Sequence, residues 1–548
     1  MPLPAQFREL LARIRRRRGA GNSRRTLISV HRERVVVLAS MLAVLLLGLP
    51  LWWTTTRVYR AHLPADAIAA LTPTQPLVIP LVFYIDSQNK VPDSMLADVE
   101  RTAAKIAARA RRPHAKRAWP VELRADVRRG VAPDTPGHYT LRVRTAPGAD
   151  ASVDIDAGRA ATVAVPAGAS VAPVLSELIS DIVVGEEHAV GRGALAQTAD
   201  RALKYSPEYA VTLSLLNEDP SGGALFDWDI EAAVDSYLAP FVSALRPLAT
   251  LAVTSQVLHH AGAPPLSQLH TANRTQLDRD VLARFVNSPS WNLASTDPVS
   301  PMLNFLMYVP SQDSQPMQIA HPDASHTNAF LLAQWGGVAI ANLNFTADPG
   351  TRQVLSREQL RPYMGVFIAQ LRTLLGIRRH TPLPPSHSGT GALKDVRVRL
   401  ATNTGISGWE LDALARQWLI DARQTAITTL QSLIRLVDSL QNMVVTDEIK
   451  SKLDGSLAEL DAIAESLASD HILACSHATR ASTLAESAFF DPSMVSMLYF
   501  PDQHKYAIYL PFFLPVALPL LTAVKRVLKN YKQSRQSNAT PSSKPKNE

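Results

Sequence analysis

LVIPLVFYID, residues 77–86, comes shortly before DSMLADVERTAAKIAARARR, residues 93–112. The first run is apolar over almost its whole length, as expected for a strand buried on both faces of a sheet. The second run has one apolar face at helical spacing, formed by Leu96, Val99, Ala103 and Ile106. A buried strand followed by an amphipathic helix is the basic unit of an α/β fold.

The alternation of strands and helices continues to about residue 376. Further strand-like runs occupy residues 139–144, 152–156, 161–165, 209–220, 251–258, 302–310 and 335–343. Further helix-like runs occupy residues 173–185, which end at a glycine, 228–245 and 364–376. We therefore predict an α/β domain over residues 56–380, with a mixed sheet and flanking helices.

The composition then changes. TPLPPSHSGTG, residues 381–391, is rich in turn-forming residues, and no proline occurs from Ser386 to Asp491. Within that span apolar residues recur at helical spacing in two sets, Leu433, Val437, Leu440 and Val444, then Leu457, Leu460, Ile463 and Leu467. The sequence predicts a linker over residues 381–408 and a long-helix region over 409–490.

Two uncharged apolar runs flank these regions. Residues 35–53 would span roughly 28 Å as a helix, which is close to the thickness of a bilayer core. In residues 507–524, prolines recur every four residues and so share one helical face. Either the prolines kink a single membrane anchor, or this face packs on the helices of partner subunits. We predict transmembrane helices at residues 35–55 and 506–524, with residues 491–505 approaching the membrane.

The charge distribution gives these helices an orientation. The tails, residues 1–34 and 525–548, carry net charges of +8 and +6, and the whole chain carries +8, so the part between them carries −6. Basic flanks stay on the cytosolic side, which predicts two cytosolic tails and a large luminal domain in the endoplasmic reticulum (ER) membrane. Because the positive excess lies in the tails, the pI of about 9.5 indicates contact with membrane lipids and no nucleic-acid binding.

Two acceptor sequons lie in the predicted luminal part. Asn273-Arg-Thr275 and Asn344-Phe-Thr346 are expected to carry N-linked glycans, whereas the sequon at Asn538 lies in a predicted cytosolic tail and should stay unmodified. Cys475 is the only cysteine, so the chain cannot form an internal disulfide. A domain of this size can be stable by burial alone.

The sharpest chemical candidate is the pair Asp227-Trp-Asp229. Two carboxylates after a strand could hold a divalent cation and a nucleotide-sugar diphosphate. Alternatively, one of these aspartates caps the helix that begins near Trp228, where a negative charge favours the helix dipole. A glycosyltransferase and a helix cap are both compatible with this short motif.

For the remaining candidate residues, the sequence favours a packing role over a chemical one. Cys475 would need an activating histidine, but His471 and His477 lie on different faces of the predicted helix. His259 and His260 follow each other in a strand, so their rings point to opposite faces. The sequence has no H-E-x-x-H, G-x-S-x-G, P-loop or C-x-x-C motif, and we predict no catalytic residue, no metal site and no cofactor.

Several longer blocks resemble the PIG-S family of glycosylphosphatidylinositol (GPI) transamidase subunits. They occur in the same order as in that family. They are GLPLWWTTTRVYRAHLP (48–64), LLNEDP (215–220), WDIEAAV (228–234), LNFLMYVP (303–310), TNAFLLAQWGGV (327–338), FIAQLRTLLG (367–376) and AFFDPSMVSMLYFPDQHKYAIYLPFFLPVALPLL (488–521). The resemblance extends from the first predicted membrane helix to the second.

This resemblance implies a non-catalytic subunit that scaffolds the attachment of GPI anchors to precursor proteins in the ER lumen. In that family the cysteine-protease-like chemistry belongs to PIG-K, and the other implied partners are PIG-T, PIG-U and the GPAA-type subunit. Contact with precursor proteins would be indirect, and the GPI lipid is a further possible ligand. The alternatives from the residues alone are a metal-dependent glycosyltransferase that uses Asp227 and Asp229, and a doubly anchored adhesion or chaperone module.

Overall fold

The structure is a computed structural model of the chain. It describes residues 36–37, 39–44, 46–48, 50–51, 54, 59–71, 77–87, 92–111, 121–146, 151–195, 203, 205–218, 225–262, 269–271, 274–277, 282, 286, 291, 300–320, 326–344, 352–377, 393–398, 403–440, 443–467, 469–495 and 502–537.

The strands, in chain order, are β1 Leu77–Ser87, β2 Val121–Arg129, β3 His138–Ala146, β4 Ala151–Ile155, β5 Ala160–Pro166, β6 Glu208–Asn217, β7 Leu225–Trp228, β8 Thr250–Leu258, β9 Leu269–Thr271, β10 Arg274–Leu277, β11 Met302–Val309, β12 Met317–Ala320, β13 His326–Thr327, β14 Ala329–Leu332, β15 Gly336–Ile340, β16 Arg352–Leu355 and β17 Leu393–Val398. The α-helices are α1 Ala65–Ala70, α2 Asp93–Arg111, α3 Val171–Leu195, α4 Ile230–Ala233, α5 Ala239–Leu245, α6 Arg357–Leu374, α7 Gly408–Ser439, α8 Asp447–Ser466, α9 His471–Phe489, α10 Pro492–Val495 and α11 Asp502–Ser537. A π-helical segment, Val234–Leu238, joins α4 to α5.

The chain forms two compact units. The larger consists of Pro64–Ile434 and Ser451–Phe489, and the smaller consists of Met1–Leu63, Arg435–Lys450 and Phe490–Glu548. Within the smaller unit, the hydroxyl group of Tyr59 donates to the carboxylate of Asp447 at 2.9 Å, and the N–H of Ala61 donates to the carbonyl of Val445 at 2.9 Å.

The first sheet of the larger unit has the strand order β17-β4-β5-β3-β1-β2. All neighbouring strands are parallel except β4 and β5. Helices α2 and α3 pack against each other and on β2. The predicted stop of the helix at Gly185 is wrong, because α3 continues to Leu195: beyond the glycine, the carboxylate of Glu187 accepts a hydrogen bond from the N–H of Leu123 at 2.7 Å. This tertiary contact outweighs the cost of a glycine inside a helix, about 1 kcal/mol.

The second sheet has the strand order β14-β15-β11-β6-β8 and is parallel except for β14. Helix α6 packs on β15, and α5 packs on β8. Strands β6 and β11 are buried along almost their whole length, so both faces of the sheet centre are covered. A smaller sheet, β13-β12-β10-β9, adds to the same hydrophobic core through Leu277, Met317 and Ile319.

The π-helical segment interrupts what the sequence predicts as one helix over residues 228–245. Pro240 has no N–H group, and its ring would clash with the carbonyl group of Ser236 in a regular α-helix. The N–H of Ala239 instead bonds the carbonyl of Val234, five residues earlier. The helix therefore widens for one turn and then resumes as α5.

Both predicted transmembrane helices, at residues 35–55 and 506–524, are contradicted by the structure. A bilayer crossing needs about 20 consecutive, predominantly apolar residues in one helix. Among the residues that the structure describes, no helix combines that length with that apolar character. At the second predicted span the helix is α11, which begins earlier and ends later than expected.

Candidate functional site

The carboxyl edge of the second sheet is where an α/β fold would bind a ligand. From β6 the chain crosses to β8 on one side, whereas from β11 it continues to β15 on the other side. Ligands of open α/β sheets bind at such a switch point, outside the carboxyl ends of the strands. The residues that end β6 and β11, and those that follow β8, are therefore the first to inspect.

The polar groups at this edge bind the main chain of the protein itself. The side-chain amide of Asn217 donates to the carbonyl of Phe226 at 3.0 Å and accepts from its N–H at 3.2 Å. The carboxylate of Glu218 accepts from the N–H of Ser311 at 2.7 Å and thereby links the ends of β6 and β11. Asn342 makes the same pair of bonds to Met317, at 2.9 and 3.0 Å. These contacts position loops, and they occupy the atoms that a ligand would use.

Asp227 lies at this edge but is already paired. Its carboxylate forms an ion pair with Arg352 of the neighbouring strand β16 and accepts the N–H of Trp228 at 2.8 Å. The hydrogen bond from Arg352 holds the pKa of Asp227 below its usual range, and the nearby His259 contributes in the same direction. The structure thus brings Asp227, Asn217 and His259 together, with 3.4 Å between the Asn217 amide nitrogen and His259 Nδ1.

Asp229 does not join Asp227 in a metal site. It precedes the first residue of α4, where its carbonyl accepts the N–H of Ala233, but its side chain makes no capping hydrogen bond. Its charge acts on Arg357, whose pKa is raised chiefly by Glu358. Over the described ranges, no group of three or more His, Cys, Asp or Glu side chains could hold a metal ion.

The other predicted candidates are separated. Cys475 is buried, and burial raises the pKa of its thiol to about 12, so it is not an activated nucleophile. His477 Nδ1 lies 2.6 Å from the carboxylate of Glu459, away from the cysteine. Asn344 is exposed, while Asn273 lies outside the described residues.

A dense group of buried charges lies at the start of α7, where we predicted a helix but no functional residue. The Trp409 ring stacks on Tyr139 with centroids 4.0 Å apart. Asp412, which is fully buried, accepts two hydrogen bonds of 2.8 Å from Arg159. We refer to this buried and partly buried set as the α7 cluster: Tyr139, Arg159, Glu186, Trp409, Asp412 and Arg416.

Arg416 is the centre of the α7 cluster. It is 1% exposed and donates to the two carboxylate oxygens of Glu186 at 2.7 and 2.8 Å, and to the Tyr139 hydroxyl at 2.8 Å. Beside it, Glu410 accepts from Arg372 of α6 at 2.6 Å. Helix α7 is therefore bonded both to the first sheet with α3 and to the helix that covers the second sheet.

The sequence held a signal for the α7 cluster. Trp409, Asp412 and Arg416 recur at offsets of three and four residues, so they share one helical face, and that face also carries apolar residues. Charges on the apolar face of a helix are costly unless they are paired across the interface. That pattern predicts buried ion pairs, although it cannot identify their partners.

His471 at the start of α9 makes the stability of the fold depend on pH. Burial, with the positive charge of Arg416, lowers its pKa from 6.5 to about 3. Below pH 6.5 the unfolded chain binds a proton at His471 that the folded chain does not bind, so this residue contributes a fall in the free energy of unfolding of about 1.4 kcal/mol per pH unit between roughly pH 6 and 4. In His471→Gln this part of the slope should disappear, as measured by denaturant unfolding at several pH values.

The exposed His326 provides the matched control for this experiment. His326→Gln should keep the wild-type slope. An unchanged slope in His471→Gln would show that other groups cause the acid sensitivity.

Comparison with known proteins assigns the chain to a family. The sequence model of PIG-S, the phosphatidylinositol-glycan biosynthesis class S protein, matches residues 39–534. The chain belongs to the PIG-S family. Among the family's members, the human GPI-anchor transamidase component PIGS is 31% identical, over 95% of this chain and 100% of the human protein. The Schizosaccharomyces pombe GPI transamidase component PIG-S homolog is 30% identical over 62% of this chain and 57% of its own length. The Saccharomyces cerevisiae GPI transamidase component GPI17 is 25% identical over 62% of this chain and 61% of its own length.

Three of the blocks that resemble the PIG-S family meet in the core. Gly336 of β15 pairs with Asn304 of β11, and a Cβ atom at Gly336 would overlap the Asn304 backbone. The amide of Gln370 on α6 rests against Gly337 and donates to the carbonyl of Phe330 at 2.9 Å. In this structure these residues of the family-like blocks pack β11, β15 and α6 together.

Proposed function

We propose that this chain is a non-catalytic subunit of the GPI transamidase, associated with the ER, that holds the complex together while GPI anchors are attached to precursor proteins. One observation carries the proposal: a human relative that aligns over its full length is named a component of this enzyme. The partners would be the other subunits, PIG-K, PIG-T, PIG-U and the GPAA-type subunit.

The side chains that could have carried chemistry support the scaffold role. Asp227 is neutralised by Arg352, the thiol of Cys475 is buried, and Asn217 and Glu218 bind the main chain. A catalytic group must reach the reacting atoms with a free donor, acceptor or nucleophile. The glycosyltransferase reading gains no support from the relatives, all of which are named as transamidase components.

The proposal is tested by recovering the complex. The tagged chain, purified in mild detergent, should bring the other transamidase subunits with it, as identified by mass spectrometry. Cells that lack their own copy of the subunit should display a GPI-anchored reporter at the surface only when this chain is supplied. Recovery of the chain without any transamidase subunit would refute the proposal.

Single substitutions separate a scaffold from an enzyme. Asp227→Asn and Cys475→Ser should each leave reporter display within about twofold of wild type, since neither side chain is placed to act on a substrate. Display is normalised to the amount of each variant. A variant that assembles normally but abolishes display would show that the chain takes part in the chemistry.

We also propose that Asn344 carries an N-linked glycan, because its side chain is exposed next to the end of β15 and begins a sequon. Treatment with endoglycosidase should increase the gel mobility of the wild-type chain, and the shift should be smaller in Asn344→Gln. The sequon at Asn273 serves as a comparison, and a glycan is expected there as well. An identical shift in Asn344→Gln and wild type would place the glycan elsewhere.

A further inference from the structure

A pocket of about 120 Å³ lies where α7 and α9 meet the C-terminal end of α6, away from the carboxyl edge of the second sheet. The rings of Tyr205 and Trp418, with centroids 4.4 Å apart, form its aromatic side. The lining also includes oxygen-bearing groups, namely Asp421, Thr425, Thr479, Ser482, Thr483 and Glu486. Aromatic rings together with several polar groups are a common lining of small-ligand sites.

Gln417 is the member of this pocket that points to a ligand. It is only 8% exposed, and its amide makes no hydrogen bond anywhere in the part of the chain that the structure describes. Its Nε2 atom lies beside Gly376, at the end of α6, so that a Cβ atom there would be 3.8 Å away. Buried amides almost always have partners, and this one can both donate and accept toward the pocket.

The hydroxyl groups around Gln417 add mainly acceptors. Thr479 donates its proton to the carbonyl of Cys475 at 2.8 Å, and Thr483 donates to the carbonyl of Thr479 at 3.0 Å. Their remaining oxygen lone pairs can accept hydrogen bonds from a ligand. Ser482 and Thr425 can donate or accept, because a hydroxyl rotates to suit its partner.

We propose that this pocket binds a single hexose ring of a glycan. A hexose has adjacent hydroxyl groups, which match an amide that both donates and accepts and a row of hydroxyl acceptors. It also has an apolar C–H face, which packs on aromatic rings. The pocket is compact, with a volume of about 120 Å³, so it suits one edge of one ring better than an extended peptide. The site does not depend on the proposed function, because a free sugar should bind whether or not the chain is in a complex.

The test uses the full chain in detergent and saturation-transfer NMR. Methyl glucoside, methyl mannoside and methyl galactoside are the hexose probes, and ethanolamine and glycylglycine represent an ammonium and a peptide ligand. At least one hexoside should bind, with a Kd on the order of 1 mM, and it should bind more tightly than the other two classes. Binding of ethanolamine or glycylglycine alone, or of no probe, would overturn the proposal.

Variants locate the binding. Gln417→Leu keeps the volume but removes two hydrogen bonds, so the Kd should rise about tenfold. Ser482→Phe should fill the pocket and abolish binding, and Thr425→Val should weaken it. Gln424→Leu, on another part of the same helix, should bind like wild type. If every pocket variant that melts like wild type also binds like wild type, the sugar binds elsewhere and the pocket assignment is wrong.

Discussion

Gly336→Ala should abolish accumulation of the folded chain. Gly336 has φ +140°, a conformation that side chains with a Cβ rarely adopt, and the added methyl group would overlap the backbone of Asn304. Strands β11 and β15 would have to separate at the pair that begins their register. We expect a loss of more than about 4 kcal/mol, a large part of the stability of a typical domain. The measurements are protein level, melting temperature and recovery in the complex.

Gly365→Ala is the matched control. Gly365 lies within α6, and a Cβ atom there would meet nothing within 4 Å. This change should stabilise the chain by up to about 1 kcal/mol, because alanine favours the helix. If Gly336→Ala and Gly365→Ala both melt at the wild-type temperature, the close approach of β15 to β11 at Gly336 is wrong.

Arg416→Met should be the second most damaging change. It removes the partner of Glu186 and leaves that carboxylate almost buried with no cation in contact. Breaking a buried pair in this way costs about 3–5 kcal/mol, far more than a surface pair. Denaturant unfolding of the full chain measures the loss directly.

A second substitution tests the reason for this loss. Arg416→Met/Glu186→Gln should recover part of the stability, because the stranded charge is gone. Arg480→Met is the surface control, since the Arg480 pair with Glu459 is half exposed, and it should cost no more than about 1 kcal/mol. A double variant that is no more stable than Arg416→Met would show that packing, rather than charge, explains the effect.

The sequence predicted well where periodicity alone decides the structure. The run at 77–86 is β1, and the amphipathic run at 93–112 is α2, with bounds that differ by one residue at most. The long-helix region after Trp409 contains α7, α8 and α9. Each of these elements buries one clear face or lies in the sheet, so local pattern and tertiary packing agree.

The sequence failed where a distant partner overrides the local signal. Strand β2, at the sheet edge, was not predicted, although its apolar and charged residues alternate as in a half-buried strand. Helix α3 passes through Gly185 because Glu186 and Glu187 bond to residues far away in sequence. The two predicted membrane helices rested on the length of two apolar runs and the charge of their flanks, and no described helix supports them.

At the candidate site, too, some features could be predicted from the sequence and others could not. The sequence singled out Asp227, Asp229 and Cys475 as candidate chemical groups, and we predicted that none of them is catalytic. What the sequence could not show is that Arg352, from a strand that comes 125 residues later, already neutralises Asp227. The α7 cluster had a readable spacing, yet its partners Arg159 and Glu186 lie more than 200 residues away.

The widened turn at Val234–Leu238 has a consequence for comparing members of the family. A π-helical turn, closed by a hydrogen bond between residues five apart, contains one more residue than an α-helical turn, whose bond joins residues four apart. Because Pro240 causes the widening, a member without proline at this position can return to a regular helix if it is one residue shorter here. A single-residue gap in an alignment at this point would then mark a change in helix type, with the flanking faces of α4 and α5 kept in register.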